Sequence, residues 1–323
     1  MNTQVKLAII AIIIVIPLTS FAVTQPSFTS EISTSDNSKL QVVTSANFLY
    51  EFTQNIGNEM IDVTLLVPMG VDPHDWEPTI RDTERLQKSD MIIINGIGYE
   101  HWIGSLELTG IAGILVDTSN GISTLDSIKY DEEKHDDDAK EDGHDEHTEE
   151  DERNHGALDP HIWLNPVYAQ LQVKNIANAL SNSDPTNKNY YQSNAAIYNQ
   201  ELNLLDTKIR TELSGCKTDF ITFHDAFSYF SEEYGLTQHT IISSTDSHGE
   251  VTLQTLENII SLARELNIKV IFAEESTSTK TSQVIADEIG GKVLVLSPLE
   301  IVSDETYVEK MTQNLENLKE ALC

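Results

Sequence analysis

The sequence predicts an α/β protein of two lobes, each a mainly parallel four-stranded sheet flanked by helices, joined by a long rigid helix. Two series of short apolar runs alternate with helical text, the pattern of parallel sheets wrapped by helices. Between the series lies one apolar stripe at helical spacing. With 323 residues, 39% of them hydrophobic, the chain is long enough to give each lobe its own core.

Residues 1–23 come first, with one lysine at Lys6, an apolar run over 7–18, and small residues at Ser20 and Ala22. This is the three-part form of a secretory signal. A helical run of that length reaches about 18 Å, short of a hydrocarbon core of about 30 Å. Extension to Val23 would instead give an uncleaved anchor. Residues 24–39 read as a tether, and either N-terminus places the chain outside the cytoplasm, secreted or held at the outer face of the cytoplasmic membrane.

The N-terminal lobe is expected over 40–183. Its runs at 41–45, 62–67, 91–95 and 113–117 read as buried strands, and 79–88 and 99–108 as helices. The linking helix is expected over 184–214, because Tyr198, Leu202, Leu205, Ile209 and Leu213 form one stripe. Asp184 and Pro185 supply its N-cap and first-turn proline, and Gly215 its end. The C-terminal lobe follows over 215–323, with strands at 219–223, 239–243, 269–274 and 292–296 and helices at 253–266, 279–289 and 305–322.

Charge narrows the function. The chain has 52 acidic against 20 basic side chains, a formal charge of −32. Such a field repels polyanions, so no nucleic-acid partner is expected, while small cations are attracted. Residues 131–155 hold 14 acids against 3 bases, together with His135, His144, His147 and His155. That insert reads as a disordered loop, either of weak metal sites, since acids alone attract cations without selecting zinc, or simply a solvated acidic segment. Only Cys216 and Cys323 are present, which excludes a thiolate zinc site of paired CxxC type. The two can pair outside the cytoplasm or remain thiols.

Three other histidines sit where α/β sheets place their ligands. His74 follows a strand in VPMGVDPHDWEPT, His161 lies between prolines in LDPHIWLNP, and His224 ends a strand in ITFHDAF. Imidazoles suit Zn²⁺, whereas Ca²⁺ and Mg²⁺ want oxygen shells. Glu274, Glu275, Asp304 or water can supply a fourth, oxygen ligand. His101 reads as a packing residue in a helix, or as one that supports a ligand from behind; His239 and His248 have no ligand-like context. Proton competition at ordinary histidines weakens capture below about pH 6.

VTSANFLYEFTQNIG, the VPMGVDPHDWEPT turn, SDMIIINGIGYEHW, the acidic insert, DPHIWLNP, FHDAF with FSEEYGL, and VIFAEES with VLSPLE occur in that order. In these motifs, over about 40–322, the chain resembles the cluster A-I (cluster 9) solute-binding proteins of zinc ATP-binding-cassette importers. The resemblance implies two lobes on a rigid backbone helix, one metal ion between them, and His74, His161 and His224 as its ligands. It also implies a zinc-type member, because manganese binders of the family commonly carry Glu at the position of His224. Where the family usually has Asp, this chain has Ser297, so Glu275, water or another nearby oxygen is left to complete the shell.

The function expected is extracytoplasmic capture of Zn²⁺, a transported ligand rather than a catalytic cofactor, and its delivery by a monomer to a membrane permease. The alternatives are a Mn²⁺ or Fe²⁺ solute-binding protein, or a metal-dependent surface adhesin of the same fold. More remote is a zinc metallohydrolase with Glu275 or Asp225 as base. Against an enzyme stand the absence of an HExxH pair and the origin of the ligands in two lobes.

Overall fold

The structure, a computed structural model, describes residues 39–69, 71, 73, 76–107, 110, 112–125, 158–242, 251–275 and 279–323. The N-terminal segment, the 131–155 insert with its four histidines, His74 and His248 lie outside the described residues.

Two four-stranded parallel sheets are present. The first has β1 (Leu40–Thr44), β2 (Ile61–Leu65), β3 (Met91–Ile94) and β4 (Ile114–Asp117), in the order β2-β1-β3-β4. The second has β5 (Asp219–Thr222), β6 (Thr237–Thr240), β7 (Val270–Ala273) and β8 (Lys292–Val295), in the equivalent order β6-β5-β7-β8. Both orders reverse direction beside the first strand, leaving a crevice at the carboxyl ends of β1 and β3 and of β5 and β7, where open α/β sheets bind ligands.

All eight expected strands occur, but they are not equally buried. The central β3 and β7 are buried at every residue. The edge strands are more open, with one buried residue in β2 and none in β8, because an edge strand has a neighbouring strand on one side only. The strand expected to open at His239 begins two residues earlier, since the ladder starts by pairing Thr237 with Asp219. Ile241 and Ile242 continue it as buried residues outside the ladder.

The helices α2 (Ile80–Lys88), α7 (Leu253–Glu265), α8 (Thr279–Ile289) and α9 (Tyr307–Leu322) agree with the sequence pattern. Capping boxes start two of them: Thr79 with Asp82 on α2, and Thr306 with Glu309 on α9. The helix expected over 99–108 contracts to α3 (Ile103–Glu107) after a turn. Three helices are additional to those expected: α1 (Asn47–Gly57), α4 (Pro166–Ser183) and α6 (Ser228–Tyr234). No side chain caps α1, whose N-cap is Ala46, so its start leaves no mark in the sequence.

Asp184 caps a short 3₁₀ turn, Pro185–Asn187, that runs into α5 (Lys188–Glu212). Its 25 residues span about 37 Å. The stripe of Tyr198, Leu202, Leu205, Ile209 and Leu213 is buried throughout. It belongs to one apolar cluster that includes Phe48 and Phe52 of α1, Trp163, Phe220 of β5, Phe230 of α6 and Leu315 of α9. The two sheets therefore share a core through α5.

Cys216 and Cys323 form a disulfide, tying the segment after α5 to the end of α9 across 107 residues. Closing a loop of that size restricts the unfolded chain, with typical effects of about 2–4 kcal/mol. Urea unfolding of the C216A/C323A variant, against the oxidised protein, is expected to show a loss in that range. A loss under about 0.5 kcal/mol would contradict the role.

Candidate metal centre

His224 stands two residues beyond β5, and Glu274 is the first residue beyond β7. Both thus sit at the crevice of the second sheet. Glu274 Oε1 lies 2.7 Å from His224 Nδ1 and accepts the His224 backbone N–H at 3.1 Å. The carboxylate occupies one ring nitrogen and turns Nε2 outward, as the outer partners of metal-binding imidazoles do.

His161 is built in the same way from the other side. Asp159 Oδ1 accepts the His161 backbone N–H at 2.9 Å and lies 2.7 Å from Nδ1. The segment is fixed further by the turn after β3, where Asn95 Nδ2 donates to Pro160 O at 2.9 Å. That turn is organised by the buried Glu100, which accepts from Asn95 N, Gly96 N and Ser45 Oγ. Gly96 has φ +86°, and a Cβ there would fall 2.2 Å from the Asp117 carboxylate. Burial pushes the Glu100 carboxyl up to about 7, despite the three donors.

The two imidazoles converge. His161 Nε2 and His224 Nε2 are 3.4 Å apart, and Glu300 Oε1 is 3.2 Å from His161 Nε2. Ligand atoms of His161, His224 and Glu300 all lie within 4.8 Å of one another, and all three residues are buried. Two nitrogens holding Zn²⁺ tetrahedrally at 2.0–2.1 Å would be about 3.3 Å apart. The spacing fits one small cation.

Electrostatics agree. Asp159, Glu274 and Glu300 are buried against the two imidazoles. Burial disfavours the charged form of His161, but Asp159 and Glu300 outweigh it and carry its pKa up to about 10. The carboxylates around His161 thus favour a positive charge at this point.

The remaining candidates are placed elsewhere. Glu275 is not brought to the imidazoles: its Oε1 pairs with Lys310 Nζ at 2.9 Å and its Oε2 accepts from Ser297 Oγ at 2.6 Å. Asp304 is exposed, and Asp225 accepts from Ser228 Oγ at 2.7 Å. His101 is exposed beside Glu77, not packed, and His239 lies 2.9 Å from Asp219. Sequence reasoning missed Glu300 and Asp159. The signal for Glu300 was an acid between Leu299 and Ile301; the signal for Asp159 was its place in DPH, two residues before the histidine.

Residues 42–321 match the family described as zinc-uptake complex component A, periplasmic (ZnuA). The chain belongs to this family. It is 39% identical over 297 residues to the high-affinity zinc uptake system protein ZnuA of Bacillus subtilis, with 89% of each chain covered. The ZnuA-family fold seen here is similar to that of the metal-dependent lipoprotein YcdH from Bacillus subtilis, with a TM-score of 0.72, 37% identity, and 88% of this chain and 99% of that one covered. It is also similar to the Zn(II)-bound ZnuA-like domain of AdcA from Streptococcus pneumoniae, with a TM-score of 0.72, 28% identity, and coverage of 88% and 98%. Of the curated AdcA of Streptococcus pyogenes the chain spans 56%.

Binding of a metal ion at His161 Nε2 would require that nitrogen to be free of a proton. The raised pKa moves proton competition upward from the range near pH 6 expected for ordinary histidines. Zn²⁺ affinity should therefore climb with pH across neutrality, by about tenfold per unit for each proton released. Calorimetry at pH 7.5 in buffers of different ionisation enthalpy is expected to show about one proton released per ion from this residue. Binding without proton release would contradict a protonated His161.

Proposed function

We propose that this protein captures Zn²⁺ between its lobes with His161, His224 and Glu300, joined by His74, and hands it to the permease of an ATP-binding-cassette importer. The convergence of two buried imidazoles and a buried carboxylate at zinc spacing carries this reading. Membership of the zinc-uptake family supports it, and the zinc named for relatives supports the choice of ion. Two or three imidazoles favour zinc over the oxygen-rich shells of harder ions. Glu300 takes the ligand role first given to Glu275, because it faces His161 while Glu275 is engaged with Lys310 and Ser297.

The protein acts outside the cytoplasm, a setting consistent with the Cys216–Cys323 disulfide. A hydrolase would need a base poised beside a metal-bound water. Glu275 and Asp225, the two candidates, each have other partners, so the arrangement supports capture and release.

Titration of the metal-free protein with Zn²⁺ against a chromophoric chelator tests the reading. H161A, H224A and E300A should each weaken binding by more than the about 10–100-fold typical of outer partners. E275A should retain binding within that smaller range. Unchanged affinity in H161A and H224A would overturn the site.

A further inference from the structure

The loop that delivers Glu300 is held residue by residue. Ser297 donates its N–H to Asn314 Oδ1 at 2.8 Å, and its carbonyl accepts from Asn314 Nδ2 at 2.7 Å. The carbonyl of Pro298 accepts from Trp163 Nε1 at 2.8 Å, across the lobes. Leu299 donates its N–H to Ser297 Oγ at 3.2 Å, and the same hydroxyl donates to Glu275 at 2.6 Å. Lys310 secures Glu275 from α9.

Leu299 needs this support. Its φ is +61°, the left-handed region, and its side chain is buried. A side chain with a Cβ is strained there and persists only where its surroundings over-determine it. The reversal at Leu299 is what turns the next residue, Glu300, inward to His161.

We propose that Ser297 is a positioning residue for zinc: its hydroxyl, anchored on Glu275 and Lys310, holds Leu299 in the left-handed conformation that aims Glu300 at the metal. The inference rests on Glu300 being a ligand, as given under Proposed function. An alanine at 297 leaves the buried Leu299 N–H without its acceptor and lets the loop relax. Threonine keeps a hydroxyl that can both donate and accept. A carboxylate at 297 could not donate to Glu275 and would repel it.

The test is a double-mutant cycle on the full chain, with Zn²⁺ affinity and dissociation rate read by chelator competition and apo folding followed by thermal melting. S297A should weaken Zn²⁺ binding by about 10–100-fold, the range for partners that orient a ligand, whereas S297T should stay within about threefold of the parent. In an E300A background, S297A should add less than about twofold, because the group it positions is gone. Should S297A fail to fold, the E275L/K310M pair, which removes the acceptor of the Ser297 hydroxyl without leaving a buried charge, should weaken binding in the parent but not in E300A.

Equal losses with and without Glu300, or no loss in S297A, would overturn the positioning role while leaving capture intact. A parent protein that does not bind zinc, or an E300A variant that binds like the parent, would overturn the functional reading and this inference with it.

Discussion

Glu300 from the second half of the chain meets His161 from the first at 3.2 Å, with both side chains buried. The site depends on that contact. A carboxylate in a dry interior is costly unless a cation answers it, and the carboxylates here push the His161 imidazole toward its charged form. The same pairing explains why Asp159 and Glu274 stand behind the two imidazoles. Each takes Nδ1 and leaves Nε2 for the shared point between the lobes.

What holds this point in place is the way the two lobes are joined. Helix α5 lends its apolar stripe to one core that includes α1, Trp163 and α9. Tyr307 at the start of α9 donates its backbone N–H to Glu51 of α1 and its hydroxyl to the Trp163 carbonyl. Tyr229 of α6 donates its hydroxyl to Asp159 O. Lobes that share a core and these bonds resist wide separation. The loops that carry His161, His224 and Glu300 are then the parts left to adjust, and the Ser297–Glu300 turn is one of them.

Local pattern determined much of this. Alternating apolar runs identified all eight strands because buried parallel strands are continuous hydrophobic segments, and the Tyr198–Leu213 stripe identified the linking helix by its period. His161 and His224 were legible because prolines and strand ends limit where such side chains can point. Residue type narrowed the ion that such a cluster suits, since imidazoles prefer zinc. Helix α1, lacking a capping side chain, and the unequal burial of edge strands were not legible, because both depend on neighbours distant in the chain.

The fourth oxygen ligand shows the division most clearly. Sequence by itself placed Glu274, Glu275 and Asp304 near the ends of the last strands without choosing among them, and it passed over Glu300. Tertiary structure separated them. Lys310 claims Glu275, His224 claims Glu274, Asp304 faces solvent, and a left-handed Leu299 turns Glu300 to His161. The physical reason is that a ligand's role is set by the direction of its side chain, and here that direction is fixed by hydrogen bonds from α9 and Trp163, elements distant in the chain from one another.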